Sequence, residues 1–215
     1  MDSLFDAADG GENREDRLEE LARQVAVCTR CDLALSRTNT VFGTGDPYSP
    51  LMLVGEGPGE NEDATGLPFV GRAGKLLDDI LAAVNLSRGD VYITNIVKCR
   101  AAVEEGGRLR NRQPKTSEIR ACNPYLQGQM EAVRPEIILC LGGPAAKTVI
   151  DKDFRITKDR GQWYDLEGGI KAMATFHPAY ILRQRGDDLK GTKRLVWKDI
   201  QAVYAEYKEA LARRG

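Results

Sequence analysis

What this 215-residue chain lacks narrows what it can do. It has one histidine, His177, so any imidazole chemistry must run through that residue. No stretch approaches the ~20 apolar residues needed to span a bilayer. The opening MDSLFDAADGGENRED is acidic and has no apolar run of the kind a secretory signal carries. A cytoplasmic protein without a membrane segment is expected. There is no internal repeat and no low-complexity tract beyond the first residues. Five cysteines in a reducing compartment are expected to be metal ligands or small buried hydrophobes rather than disulfide partners.

Net charge is also nearly missing, at −1, yet it is unevenly spread. Residues 1–20 hold eight acidic and two basic side chains, which leaves the rest with 29 basic against 24 acidic, about +5. A modest positive balance of this kind favours a polyanionic partner. Residues 1–13 read as a disordered acidic leader with little to bury, and residues 14–215 as a single domain.

Beyond the leader, a first helix is expected over Arg14 to Ala26, and short apolar runs then alternate with longer amphipathic ones. Strands are expected at Leu51–Val54, Val91–Val97, Ile137–Leu141 and Met173–Phe176, where β-branched and large apolar residues concentrate. Helices are expected at Ala73–Val84, Ser117–Val133, Pro144–Ile150 and Lys193–Arg213, where apolar residues recur every three and four positions. This alternation predicts an α/β fold, a three-layer α/β/α sandwich around a small, mostly parallel sheet. Residues 101–115, AAVEEGGRLRNRQPK, are too polar and glycine-containing for a core element and read as an irregular surface loop.

In such sheets ligands bind beyond the carboxyl ends of the strands, and the unusual residues of this chain fall there. The first strand runs into Gly55-Glu56-Gly57-Pro58-Gly59, a turn whose glycines let main-chain amides approach a ligand. Its spacing fits neither the dinucleotide fingerprint nor the P-loop. Phe69 lies between a turn and a helix start, where a flat ring can pack in the core or stack on a planar base. Asn95 is a polar residue in an apolar strand, and its burial costs about 1–3 kcal/mol unless its amide finds partners. It can bond to neighbouring backbone or read the paired donor and acceptor on one edge of a pyrimidine. His177 ends the last apolar run.

Cys28, Cys31, Cys99 and Cys122 form C-x2-C, a gap of 67 residues, then C-x22-C. Four thiolates at these positions suit zinc or an iron–sulfur cluster, and spacing alone leaves both open. Cys140 closes the apolar run Ile137-Ile138-Leu139 and reads as a buried hydrophobe.

Taken together, VCTRC, VGEGPGENEDATGLPFVGRAGKLLDDIL, YITNIVKCR, AC followed by NPYL, and TFHPAYILR resemble, in that order, the family 4 uracil-DNA glycosylases, the thermostable iron–sulfur branch of their superfamily. The resemblance spans roughly Val25 to Tyr207. It implies a structural [4Fe-4S] cluster on Cys28, Cys31, Cys99 and Cys122. The activity implied is hydrolysis of the bond between uracil and deoxyribose in DNA, single- or double-stranded, and a monomer is the expected state of an enzyme that scans DNA.

Carried onto matching positions, the resemblance has Glu56, Gly57 and Gly59 lining the uracil pocket, Phe69 stacking on the base, Asn95 reading its edge and His177 facing its O2. Leu182 would fill the space a flipped base vacates, with Arg183 and Arg185 near phosphates. Where the best-known relatives carry a water-orienting aspartate this chain has Gly57, so Glu56 and Glu62 are the candidate carboxylates. Arg100 is followed by Ala101-Ala102 and a lengthened loop. A neighbouring branch traps uracil-DNA covalently through a histidine in that loop, and none is present here. The rival is a protein of the same fold that binds uracil-DNA covalently or without cleaving it.

Overall fold

A computed structural model describes residues 13–214; the expected leader lies outside the described residues except for Asn13. In chain order the regular elements are α1 (Arg14–Ala26), β1 (Thr44–Gly45), β2 (Leu51–Gly55), α2 (Glu60–Thr65), α3 (Arg72–Ala82), β3 (Tyr92–Asn95), β4 (Ala102–Glu105), β5 (Arg108–Asn111), α4 (Thr116–Val133), β6 (Ile137–Leu141), α5 (Gly143–Val149), α6 (Ile156–Asp159), β7 (Tyr164–Asp165), β8 (Lys171–Thr175), α7 (Pro178–Ile181) and α8 (Gly186–Arg214).

Six strands form one sheet in the order β1-β3-β2-β6-β8-β7, and β4 and β5 pair separately. The four inner strands run parallel, whereas β1 and β7 lie antiparallel at the two edges. Every residue of β2 and β6 is buried, as expected of strands covered on both faces. Alternation along the strands divides the core in two. Leu51, Leu53, Ile93, Leu139, Leu141 and Met173 face Leu77 and Leu81 of α3 and Ile200, Val203 and Tyr207 of α8. Met52, Val54, Tyr92, Ile138, Cys140 and Ala172 face Leu126 of α4, Ala145 and Ala146 of α5 and Leu18 of α1. The chain is thus helices, mostly parallel sheet, helices, as the sequence pattern predicts.

Two expectations are corrected. Residues 102–111 are not irregular but a β-hairpin, turned by Gly106 and Gly107 with φ of 60° and 73°. The last helix begins at Gly186, seven residues before the expected Lys193.

One buried ion pair fixes α8 to the end of the functional strand. Arg160 pairs with Asp199 of α8, its Nε 2.8 Å from Oδ2, and the Thr175 hydroxyl at the end of β8 donates to the same oxygen at 2.6 Å. Asp199 is 1 % exposed, so removing it strands a guanidinium and a hydroxyl together. Asp199→Ala is expected to cost about 3–5 kcal/mol in urea unfolding. A loss below about 1 kcal/mol would show that the pair does not hold the helix.

Candidate active site and four-cysteine site

The turn after β2 is shaped by what its glycines exclude. A Cβ on Gly55 would stand 2.4 Å from Asn95 Oδ1 and 2.5 Å from the Phe69 ring. One on Gly57 would meet the Val97 side chain at 2.7 Å. Those approaches let β2 end against Asn95 and Phe69 with backbone alone between them. Glu62, on α2, braces this turn: Oε2 accepts from Gly59 N–H at 3.1 Å, and Oε1 accepts from the N–H groups of Val70 and Gly71, each at 2.9 Å. Both Glu62 oxygens thus brace the turn, and the same side chain lines the cavity that holds Glu56.

Phe69 sits at φ 55°, a left-handed conformation that costs a bulky residue about 1–3 kcal/mol and is kept only when neighbours enforce it. Two do. Arg88 donates to the carbonyls of Pro68 and Phe69 while its Nε pairs with Asp78 at 2.7 Å. Gly74 of α3 lies so close that a Cβ there would fall 1.6 Å from the Phe69 carbonyl oxygen. The buried ring thereby faces His177, with centroids 5.8 Å apart and planes at 27°.

Asn95 closes β3, is 2 % exposed, and its Oδ1 has no hydrogen-bond partner. A buried acceptor left unpaired is costly, and this oxygen can accept from a donor brought into the cavity. Just beyond, the fully buried Lys98 ammonium donates to Thr94 Oγ1 and the Asn95 carbonyl, each at 2.7 Å, and to Gln129 Oε1 at 2.5 Å. Burial pushes this ammonium down to about 8.

His177 follows β8 and caps the short α7. Its Nδ1 accepts from Ala179 N–H at 3.0 Å, so in the neutral ring the proton belongs on Nε2. Desolvation, helped by the nearby Arg183 charge and opposed by Glu62, lowers its pKa to about 4. Burial raises the Glu56 carboxyl, against the pull of Arg183. Glu56, Gly57, Gly59, Phe69, Asn95, His177 and Arg183 all line one cavity of about 570 Å³, together with Asn111 to Pro114 at the base of the β4–β5 hairpin. Leu182 is half-buried at the end of α7 and outside that lining, and the exposed Arg185 donates to the carbonyls of Leu182 and Gln184.

The structure also gathers Cys28, Cys31, Cys99 and Cys122 around a separate small cavity, all as free thiols, with Cys140 apart and buried in β6. Arg37 donates to Cys99 Sγ at 3.4 Å and Lys98 N–H to Cys122 Sγ at 3.3 Å. Burial drives the Cys99 thiol up and the Cys122 thiol up to about 11. Among the described residues no three His, Cys, Asp or Glu side chains are arranged to hold a single metal ion.

Lys98 and Arg88 have roles that sequence reading missed. Lys98 stands inside a quoted segment, and a lone lysine in an apolar run was the signal available. Nothing local marks Arg88, whose partners lie ten and twenty residues away.

Comparison with known proteins brings these pieces together. A family model described as "Uracil DNA glycosylase superfamily" matches residues 42–201. A type-4 uracil-DNA glycosylase of Thermotoga maritima is 44% identical over 189 residues, 87% of this chain and 93% of the relative. Its counterpart in Archaeoglobus fulgidus is 41% identical over 172 residues, covering 77% and 83%. That of Sulfurisphaera tokodaii is 43% identical over 175 residues, covering 78% and 76%.

Because His177 is the sole histidine, its ring can be followed directly by NMR. Its signals are expected to stay those of a neutral Nε2–H ring from pH 8 to about 5 and to move only near pH 4. The unfolded chain takes its proton near 6.5, so stability falls as pH drops through the interval between 6.5 and about 4. A ring titrating near 6.5 in the folded protein would mean that the site is open to water.

Proposed function

The chain belongs to the uracil-DNA glycosylase superfamily, and from that premise we propose that it is a type-4 enzyme hydrolysing the N-glycosidic bond of uracil in DNA to leave an abasic site. The observation that carries this reading is the unpartnered Asn95 Oδ1 lining the same cavity as a neutral His177. Uracil offers N3–H as a donor and O2 as an acceptor on neighbouring ring positions. Asn95 Oδ1 receives the first, and the Nε2–H of His177 donates to the second.

The bond breaks as uracil leaves with its electrons and the sugar gains oxocarbenium character. A donor poised at O2 strengthens as negative charge spreads from N1 onto that oxygen, and a site that excludes water makes it worth more. A neutral imidazole fits this work, since its proton stays on nitrogen while the charge develops. Phe69 stacks on the base, and Gly57 and Gly59 give room for it. Of the two candidate carboxylates, Glu56 and Glu62, Glu56 is the one not tied to the turn, and it orients the attacking water. Leu182 fills the space behind the extruded nucleotide, with Arg183 and Arg185 toward phosphates.

Cys28, Cys31, Cys99 and Cys122 hold a [4Fe-4S] cluster in this reading. The chemistry of the donor set supports the fit: four cysteine sulfurs from separate segments line one small cavity, with Arg37 donating to Cys99 Sγ and the Lys98 N–H to Cys122 Sγ. When bound, the cluster supplies cross-linking between the segments that carry its cysteines, and no redox step. Residues 14–215 act as one domain and as a monomer in the cytoplasm, on single- or double-stranded DNA. No helix among the described residues is long and apolar enough to cross a membrane.

Alkali cleavage of uracil-containing oligonucleotides tests the proposal. His177→Ala is expected to lower single-turnover excision about 10²–10³-fold while DNA affinity by fluorescence anisotropy changes little. Parallel loss of both, or full activity, would remove His177 from the chemistry. Glu56→Gln should slow excision, and an unchanged rate would remove carboxylate assistance. Purified protein is expected to contain about four irons, and Cys122→Ala to lose them.

A further inference from the structure

The hairpin β4–β5 has a fixed base and a free tip. At its base Arg100, 7 % exposed, donates to Asn111 Oδ1 at 2.7 Å and to the Leu109 carbonyl at 3.3 Å. Arg112 binds the buried Glu118 carboxylate through two contacts at 2.8 and 2.6 Å, and its N–H donates to the Ala101 carbonyl at 2.9 Å. At the tip, nothing comes within 4 Å of a Cβ built on Gly106 or Gly107. A hairpin held this firmly at one end is aimed.

The pairing register shows where. Ala102 lies across from Asn111 and Glu104 across from Leu109, so these four share one face. Asn111 lines the 570 Å³ cavity, and Leu109, two residues nearer the tip, shares its face of the hairpin. It is 50 % exposed and packs into no core cluster. Arg108 and Arg110 occupy the opposite face with Glu105 and Val103. Arg108 has no ion-pair partner among the described residues, and Arg110 reaches Glu105 only at 3.6 Å with both side chains well exposed, a pair weak enough for a phosphate to displace.

We propose that this hairpin is a second DNA-engaging element of the site, distinct from the segment after His177. Leu109 enters the base stack beside the nucleotide drawn into the cavity, and Arg108 and Arg110 meet the phosphates of the adjoining backbone. The proposal rests on the uracil-DNA reading. The chemistry is that of an apolar wedge, which holds open a gap in the stack so that the flipped base does not return. Arginines flanking the wedge bind the polyanion without regard to sequence. Glu104, beside Leu109, keeps phosphates off the wedge face and leaves the arginine face to them.

The test uses the full-length, iron-loaded protein and two variants, Leu109→Ala and the double variant Arg108→Ala/Arg110→Ala, with iron content checked for each. Single-turnover excision is measured on a uracil-containing single strand, on a duplex with uracil opposite adenine and on one with uracil opposite guanine. For Leu109→Ala the ratio of the uracil·adenine duplex rate to the single-strand rate is expected to fall about tenfold. The loss should be smaller opposite guanine, where the pair opens more readily. For the double variant, the slope of log affinity against log salt on the uracil·adenine duplex is expected to become shallower by about two. Equal effects of Leu109→Ala on all three substrates, no effect on any, or an unchanged salt slope would overturn the proposal. Failure of the unaltered protein to release uracil even from the single strand would instead refute the activity, and the salt slope would still decide whether the hairpin meets DNA.

Discussion

At the carboxyl end of β2 there is no space for a Cβ. Gly55 separates the Asn95 amide from the Phe69 ring by one thickness of backbone, and both groups take their positions from that contact. Phe69 accepts a left-handed backbone to reach it, enforced by Arg88 and by the close passage of Gly74. Asn95 accepts burial with an unpaired oxygen. Conformational strain and polar desolvation, each about 1–3 kcal/mol, are thus concentrated around a single glycine. Folding alone gains nothing from either, and both fit the proposed binding of a planar, hydrogen-bonding ring.

The remainder of the fold supports that arrangement from behind. Lys98 joins the pocket strand to the cysteine site, because its ammonium holds the Asn95 carbonyl and Gln129 of α4 while its own N–H meets Cys122 of the same helix. On the other side, Asp199 of α8 holds the end of β8 through Thr175, two residues before His177. The Asn95 carbonyl and the strand that delivers His177 are therefore each tied to a different helical layer, and the sheet between them sets their separation.

Much of this was legible in the sequence because the inner strands are written in unbroken apolar runs and the larger helices in regular periodicity. What was not legible has local reasons. β1 and β7 are too short to show a period. The hairpin hides behind a Glu-Glu-Gly-Gly turn whose flanks alternate charge instead of hydrophobicity, although two adjacent glycines are a turn signal that could have been weighed. The bracing role of Glu62 was not legible, since the amides that occupy it belong to Val70 and Gly71, eight and nine residues on. The four cysteines could be grouped from spacing, but their common cavity and the donors around it required the fold.

The two-residue edges β1 and β7 affect how the molecule behaves in company. Unpaired strand edges invite foreign chains to extend a sheet, and here each edge offers only two residues of backbone and runs against the direction of its neighbour. Copies crowded side by side therefore find almost nothing on the six-stranded sheet to zip onto, so crowding does not lead to aggregation through that sheet.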